Sequence, residues 1–161
     1  MRVDEMTVLF DYMYWVNHRL LEHAADLPVQ VFTAPTEVTT RNLRATLVHE
    51  LDVEWSWRRI LQGPVDEDVE LDPEHYPNVP SLVEHWQRDE SEMRAWLGTL
   101  TDEDLASEVY SAFTEERRPL WQFLLHIVTH AAQQQADAAT LLTLSGRSPG
   151  ELAFLDFLDP R

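Results

Sequence analysis

Apolar positions return at helical spacing in four long stretches, separated by segments where the period is lost. In the first, Met6, Phe10, Met13, Tyr14, Leu20, Leu21 and Ala24 form one stripe, which predicts a helix capped by Asp4, running to about Ala25 and stopped by Leu27-Pro28. Asn17 sits in the middle of that stripe. It is therefore expected to be buried, as an amide bonded to a neighbouring helix or lining a pocket. His18, at the edge of the stripe, is expected to be solvated or stacked. Residues 28–38 hold prolines and β-branched residues without a period and read as a loop. Thr39 or Thr40 then caps a helix from Arg41 to about Gln62, closed by Gly63-Pro64. Leu43, Leu47, Leu51 and Trp55 mark one buried side of it, and His49, Val53, Trp57 and Ile60 another, so that His49 points inward. Glu50 and Glu54 break the pattern, either as solvated acids or as partners of His49.

From 65 to 80 the chain turns acidic and proline-bearing, a long loop with His75 exposed. Ser81 and Glu84 have the spacing of a capping box, ahead of a helix that buries Leu82, Trp86, Met93, Trp96, Leu97 and Leu100 and solvates Arg88, Asp89, Glu90 and Glu92. Thr101 with Asp104 predicts a short helical turn, and 108–116 an extended excursion. The last long helix, Leu120 to Leu144 with Pro119 at its first position, is nearly apolar all round. Trp121, Leu124, Leu125, Val128, Ala132, Ala139 and Leu142 share one face, and Phe123, Ile127, His130, Gln134, Ala138 and Leu141 another. Only the strip of Gln122, Thr129, Gln133 and Thr140 suits water, which makes this helix central in its bundle or an interface element. Gly146 stops it, and Leu152, Phe154, Leu155 and Phe157 belong to a tail that docks on the bundle.

Four long helices with at least two lengthy connections predict an all-α four-helix bundle, one domain over 1–161. The absence of cysteine removes disulfides, thiolate metal sites and a cysteine nucleophile. With 29 acidic against 12 basic residues and a formal net charge of -17, the chain repels phosphate backbones and anionic membranes. No apolar run reaches the roughly 20 residues of a membrane span, and the start lacks a basic flank, so the expectation is a soluble cytoplasmic protein without nucleic-acid or membrane partners.

The chemistry-bearing constellation is inward-facing His49 with His126, His130 and Gln134 on the last helix. Imidazoles four residues apart on one helix stand a turn apart and can share an ion with a third donor from a facing helix, leaving positions open for water or substrate. Histidines at that spacing also occur as ordinary polar residues of a core or its boundary.

The stretches PLWQFLLHIVTHAAQQQADAATLLTLSG and TLVHELDVEWSWRRILQG, with FDYMYWVNHRLL ahead and SPGELAFLDFL behind, resemble the DinB-like family of damage-inducible four-helix-bundle proteins, nearly end to end. The resemblance implies an up-down-down-up bundle, a homodimer, and a divalent metal such as zinc or nickel held by three side chains, with manganese a further candidate. One ligand comes from the second long helix, matched here by His49. Two come from the last, in a pattern like HxxxHxxxHR, matched by His130 and position 134. That position is Gln134, followed by Gln135 where the pattern has Arg. An amide oxygen is a poor substitute for imidazole toward zinc or nickel. Three readings stay open: a weakened site of His49, His130 and Gln134; a displaced one using His126 and His130; or a site that has lost its metal. Helical arithmetic argues against displacement and leaves His126 as a boundary residue near the pocket. The resemblance further implies a metal-dependent transferase or hydrolase that activates a low-molecular-weight thiol or water, with Asn17 a candidate substrate contact. The alternative is a non-catalytic dimeric bundle that binds a small molecule or a protein.

Overall fold

The computed structural model describes residues 1–63, 65 and 70–159. Among them the elements run α1 (Val3–Ala24), α2 (Val29–Phe32), α3 (Leu43–Gln62), α4 (Val79–Leu97), α5 (Asp102–Ala106), β1 (Glu108–Ser111), β2 (Glu116–Pro119), α6 (Leu120–Leu144) and α7 (Phe154–Leu158), with a 3-10 turn at Pro73–His75. The core divides into two clusters whose membership fixes the helix directions. One gathers Met6, Phe10 and Met13 of α1 with Leu120, Phe123 and Leu124 of α6, and with Trp57, Met93 and Leu97 from the far ends of α3 and α4. The other gathers Leu20 and Ala24 with Ala138 and Leu142, and with Leu43, Leu47, Val79 and Leu82 from the near ends. Thus α1 and α6 run together and α3 and α4 run against them. The bundle is up-down-down-up, as the resemblance implies. Leu47, Leu51, Leu82 and Leu124 are fully enclosed, and truncating any one of them to Ala would cost about 2–5 kcal/mol.

Several boundaries differ from the sequence reading because a different side chain reaches the orphan N–H groups. Asn42, not Thr39 or Thr40, caps α3 by accepting from Ala45 N at 2.9 Å. Asn78 caps α4 by accepting from Ser81 N at 3.0 Å, so α4 begins ahead of the expected Ser81–Glu84 box, with Pro80 in its first turn. Arg2 precedes α1 and donates its backbone N–H to Glu5, which moves the start ahead of Asp4. The Thr101–Asp104 turn forms as a reciprocal box. At the end of α6, Gly146 adopts φ 75°. Gly146 N bonds Thr143 O at 3.0 Å and Arg147 N bonds Leu142 O at 2.8 Å, a Schellman stop that needs the left-handed conformation.

The extended excursion is a hairpin in which Val109 faces Arg118 and Tyr110 faces Arg117. It delivers the chain through Pro119 directly into α6. The tail docks as expected through Phe154 and Phe157, which pack against Tyr12 at 5.1 and 5.8 Å, while Tyr12 Oη donates to Leu152 O at 2.6 Å. Leu155 does not dock. It is 70% exposed, because in a single turn of helix it faces away from the two phenylalanines. In the acidic 65–80 stretch, residues 66–69 lie outside the described residues, and His75 is exposed as expected.

Candidate functional site

α3 and α6 pack side by side, and this brings His49 to His130: their rings meet edge to face with centroids 5.0 Å apart. One turn earlier on α6, His126 lies 6.1 Å from His130 and edge-on to Trp57 at 5.3 Å, with its own side chain exposed. Gln134 is buried one turn further along. Burial lowers His130 to about 4, with the neighbouring His49, His126 and Arg41 acting in the same direction. Burial, then the Arg41 charge, also lowers His49. Both imidazoles are consequently neutral at pH 7, the form that can donate a lone pair. His130 Nδ1 is buried without a hydrogen-bond partner among the described residues, a costly condition for a ring nitrogen that ligates nothing.

Among the described residues no group of three or more His, Cys, Asp or Glu is placed to hold a metal ion. The chemistry present is two neutral imidazoles with lone pairs to donate, and the neutral Gln134 amide one turn along α6; two imidazoles suit zinc, nickel or manganese, and an amide oxygen adds only a weak donor.

The next residue on each helix faces the other way, into the core, and there the structure holds a second polar system. Gln135 Nε2 donates to Asn17 Oδ1 at 2.6 Å, Glu50 Oε1 at 3.1 Å and Met13 O at 3.1 Å. Three acceptors converge on a group with two hydrogens, and Glu50 Oε2 and Asn17 Nδ2 remain without partners among the described residues. Burial, with the neighbouring Glu54, pushes Glu50 well above the usual carboxylate range. One turn on, Glu54 accepts from the Tyr14 phenol and from Trp86 Nε1 at 3.1 Å. Burial and then Asp89 raise its carboxyl to about 8 despite these two donors. A further turn on, Arg58 Nε donates to Asp89 Oδ1 at 2.9 Å, and its other nitrogens reach Glu92 and Gln62. Asp89 is therefore a core residue, 1% exposed, and not part of the solvated face of α4.

A profile of the DinB family matches residues 1–161. The chain belongs to the DinB family. A DinB-like protein from Bacillus cereus shares its fold with a TM-score of 0.70 at 13% identity, over 93% of this chain and 97% of that one. A conserved protein from Enterococcus faecalis matches with a TM-score of 0.59 at 15% identity, over 89% and 97%. No curated protein matches the chain.

In this DinB chain the structure brings together His49 and His130, keeps His126 beside them at the surface and puts Gln134 on the same helix face in the interior. Asn17 is buried as expected, but against Gln135 and Glu50 and not at the histidines. His18 is exposed and bonds Glu90 at 2.7 Å. The sequence reading did not assign the Glu50, Glu54 and Arg58 ladder. Its signal was there in the two acids that interrupted the α3 pattern, four residues apart and continued by Arg58.

Proposed function

We propose that this DinB chain is a metal-dependent transferase or hydrolase of a small molecule, working with a weakly held divalent ion and taking a low-molecular-weight thiol or water as the nucleophile. The observation that carries the reading is the His49–His130 pair, two neutral imidazoles with ring centroids 5.0 Å apart, of which one has a buried nitrogen with no hydrogen-bond partner among the described residues. A divalent ion, when bound, lowers the pKa of a thiol or water so that a nucleophile exists at neutral pH. His49 and His130 would hold it, with Gln134 as a weak third donor. The chain's own residues position this pair: Trp57 stacks on Phe123 at 5.3 Å and meets His126 edge-on, which locks α3 to α6 at the level of the site. His126 is exposed beside His130.

We also infer a homodimer in the cytoplasm. Leu155 and Leu158 stay exposed after the tail has docked, which supports a second copy covering that face. The -17 charge counts against nucleic-acid partners, and among the described residues no helix is long and apolar enough to cross a membrane.

Gln134 favours a second reading, a bundle that has given up the metal and binds a small molecule or a protein. Elemental analysis after loading with zinc, nickel or manganese and desalting separates the two. Near-stoichiometric metal that disappears in His130→Ala, together with thiol-transfer activity lost in the same variant, supports the enzyme. No metal in the unmodified chain, with metal gained in Gln134→His, supports the binding module.

A further inference from the structure

A row of rings leads from the histidine pair to the hairpin. His49 meets His130 with centroids 5.0 Å apart, His130 meets His126 at 6.1 Å, His126 meets Trp57 at 5.3 Å, and Trp57 meets Phe113 at 5.6 Å. The row follows from the packing of α3 on α6, because His49 and Trp57 stand two turns apart on one helix while His126 and His130 stand one turn apart on the other. The hairpin supplies its last member. The reaction proposed above uses the imidazole end and gives the aromatic end no task.

Trp57 at that end is a fixed wall, buried and stacked on Phe123 at 5.3 Å. Phe113 is different. Along β1 the side chains of Val109 and Ser111 turn toward the bundle, and Phe113, two residues further, continues that side into the turn. The fully buried Ser111 Oγ accepts from Phe113 N at 3.2 Å and from Thr114 N at 3.3 Å, which holds the turn from inside. The Phe113 ring meets Trp57 edge to face, yet the residue is 57% exposed. A lone exposed phenylalanine is ordinary on a protein surface. This one is anchored at its backbone and at its ring by buried side chains, and it closes a row whose other end is the candidate site.

We propose that Phe113 is a specificity-determining residue of this site, receiving an aryl-sized apolar group of a small molecule whose sulfur or oxygen lies at His49 and His130. The polar end of this assignment rests on the metal-dependent reading of the histidine pair, whereas the apolar end rests on Phe113 and Trp57. An aryl group laid against these rings removes apolar surface from water and adds the tilted or offset contacts that aromatic pairs prefer. A ligand without it forgoes both.

Nitrogen-proton NMR titrations of the full chain test the two ends separately. 2-Phenylethanol, which has the aryl group and no thiol, should bind before any metal is added with a dissociation constant of about 1–10 mM, moving the Trp57 indole and Phe113 amide resonances. After zinc loading, 2-phenylethanethiol should bind at least about tenfold more tightly than 2-phenylethanol, through the sulfur, and at least about tenfold more tightly than ethanethiol, through the ring. Phe113→Ala, at an exposed position, should weaken both aryl ligands about fivefold and leave ethanethiol unchanged, with part of the loss restored in Phe113→Leu. His130→Ala should remove the advantage of thiol over alcohol and leave the dependence on Phe113 intact. Thiol and alcohol binding alike with and without zinc would sink the metal reading, and the aryl subsite would still be supported if Phe113→Ala weakens both. Equal binding of 2-phenylethanol to the unmodified chain and to Phe113→Ala, or no movement of the Trp57 and Phe113 resonances, would overturn the proposal whatever the metal does.

Discussion

Trp86 on α4 donates its indole N–H to Glu54 on α3 at 3.1 Å, inside the bundle and away from solvent. Together with the Tyr14 phenol it keeps a carboxyl group in a place where burial makes ionisation unfavourable, and the balance leaves Glu54 at about 8. A carboxyl that stays protonated when folded but ionises near 4.5 when unfolded binds more protons in the native state between those values. Stability is therefore fully present below about pH 4.5 and is lost as pH rises toward 8, by up to roughly 1.4 kcal/mol per pH unit. Glu50 is shifted in the same direction and adds to the slope. Urea denaturation at pH 5, 6.5 and 8 should show this decline, and Glu54→Gln should flatten it.

Breaking the Arg58–Asp89 pair should be costly because each ion is enclosed. Asp89→Ala leaves the guanidinium without its buried partner and should cost about 3–5 kcal/mol, whereas replacing both residues by apolar ones of similar volume should recover most of that loss. Denaturant midpoints of the two single variants and the double variant measure the difference.

The bundle was legible because four stripes at helical spacing leave little choice of architecture, and the acidic hairpin-to-helix passage was legible from Pro119. Helix starts were less so, since Asn42 and Asn78 compete with threonines and serines that the sequence makes equally plausible. Asp89 was misplaced on the solvated face because four charged residues surround each other in RDESE and one sequence cannot say which of them meets Arg58. The His49–His130 approach was anticipated. The role of Gln135 was not, because beside Gln133 and Gln134 nothing in the sequence distinguishes the glutamine that the core holds.

The caps supply a direct check on those starts. Asn78→Ala should cost about 1 kcal/mol and Asn42→Ala a similar amount, while Glu84→Ala should change little, the reverse of what a Ser81–Glu84 box would give. Melting temperatures of the three variants are sufficient.

Gln134→His should convert two strong donors into three. The expected outcome is at least a tenfold gain in zinc or nickel affinity, and metal-dependent stabilisation approaching about 2.7 kcal/mol at a hundredfold excess over the dissociation constant. Calorimetric titration and thermal melts with and without EDTA test it, with His130→Ala as the variant in which both effects vanish.

His49 next to Glu50, and Gln134 next to Gln135, divide each helix between two neighbouring tasks. His49 meets His130, and Gln134 follows His130 one turn along the same face, while Glu50 and Gln135 belong to the core network. A substitution at 49 or 134 therefore leaves the contacts that keep the helices together largely intact, whereas insertion of a single residue ahead of either pair would rotate the wrong partner into each place. A lineage built on this arrangement can rewrite its chemistry one point mutation at a time without renegotiating its architecture, but it cannot tolerate a shift of frame along α3 or α6.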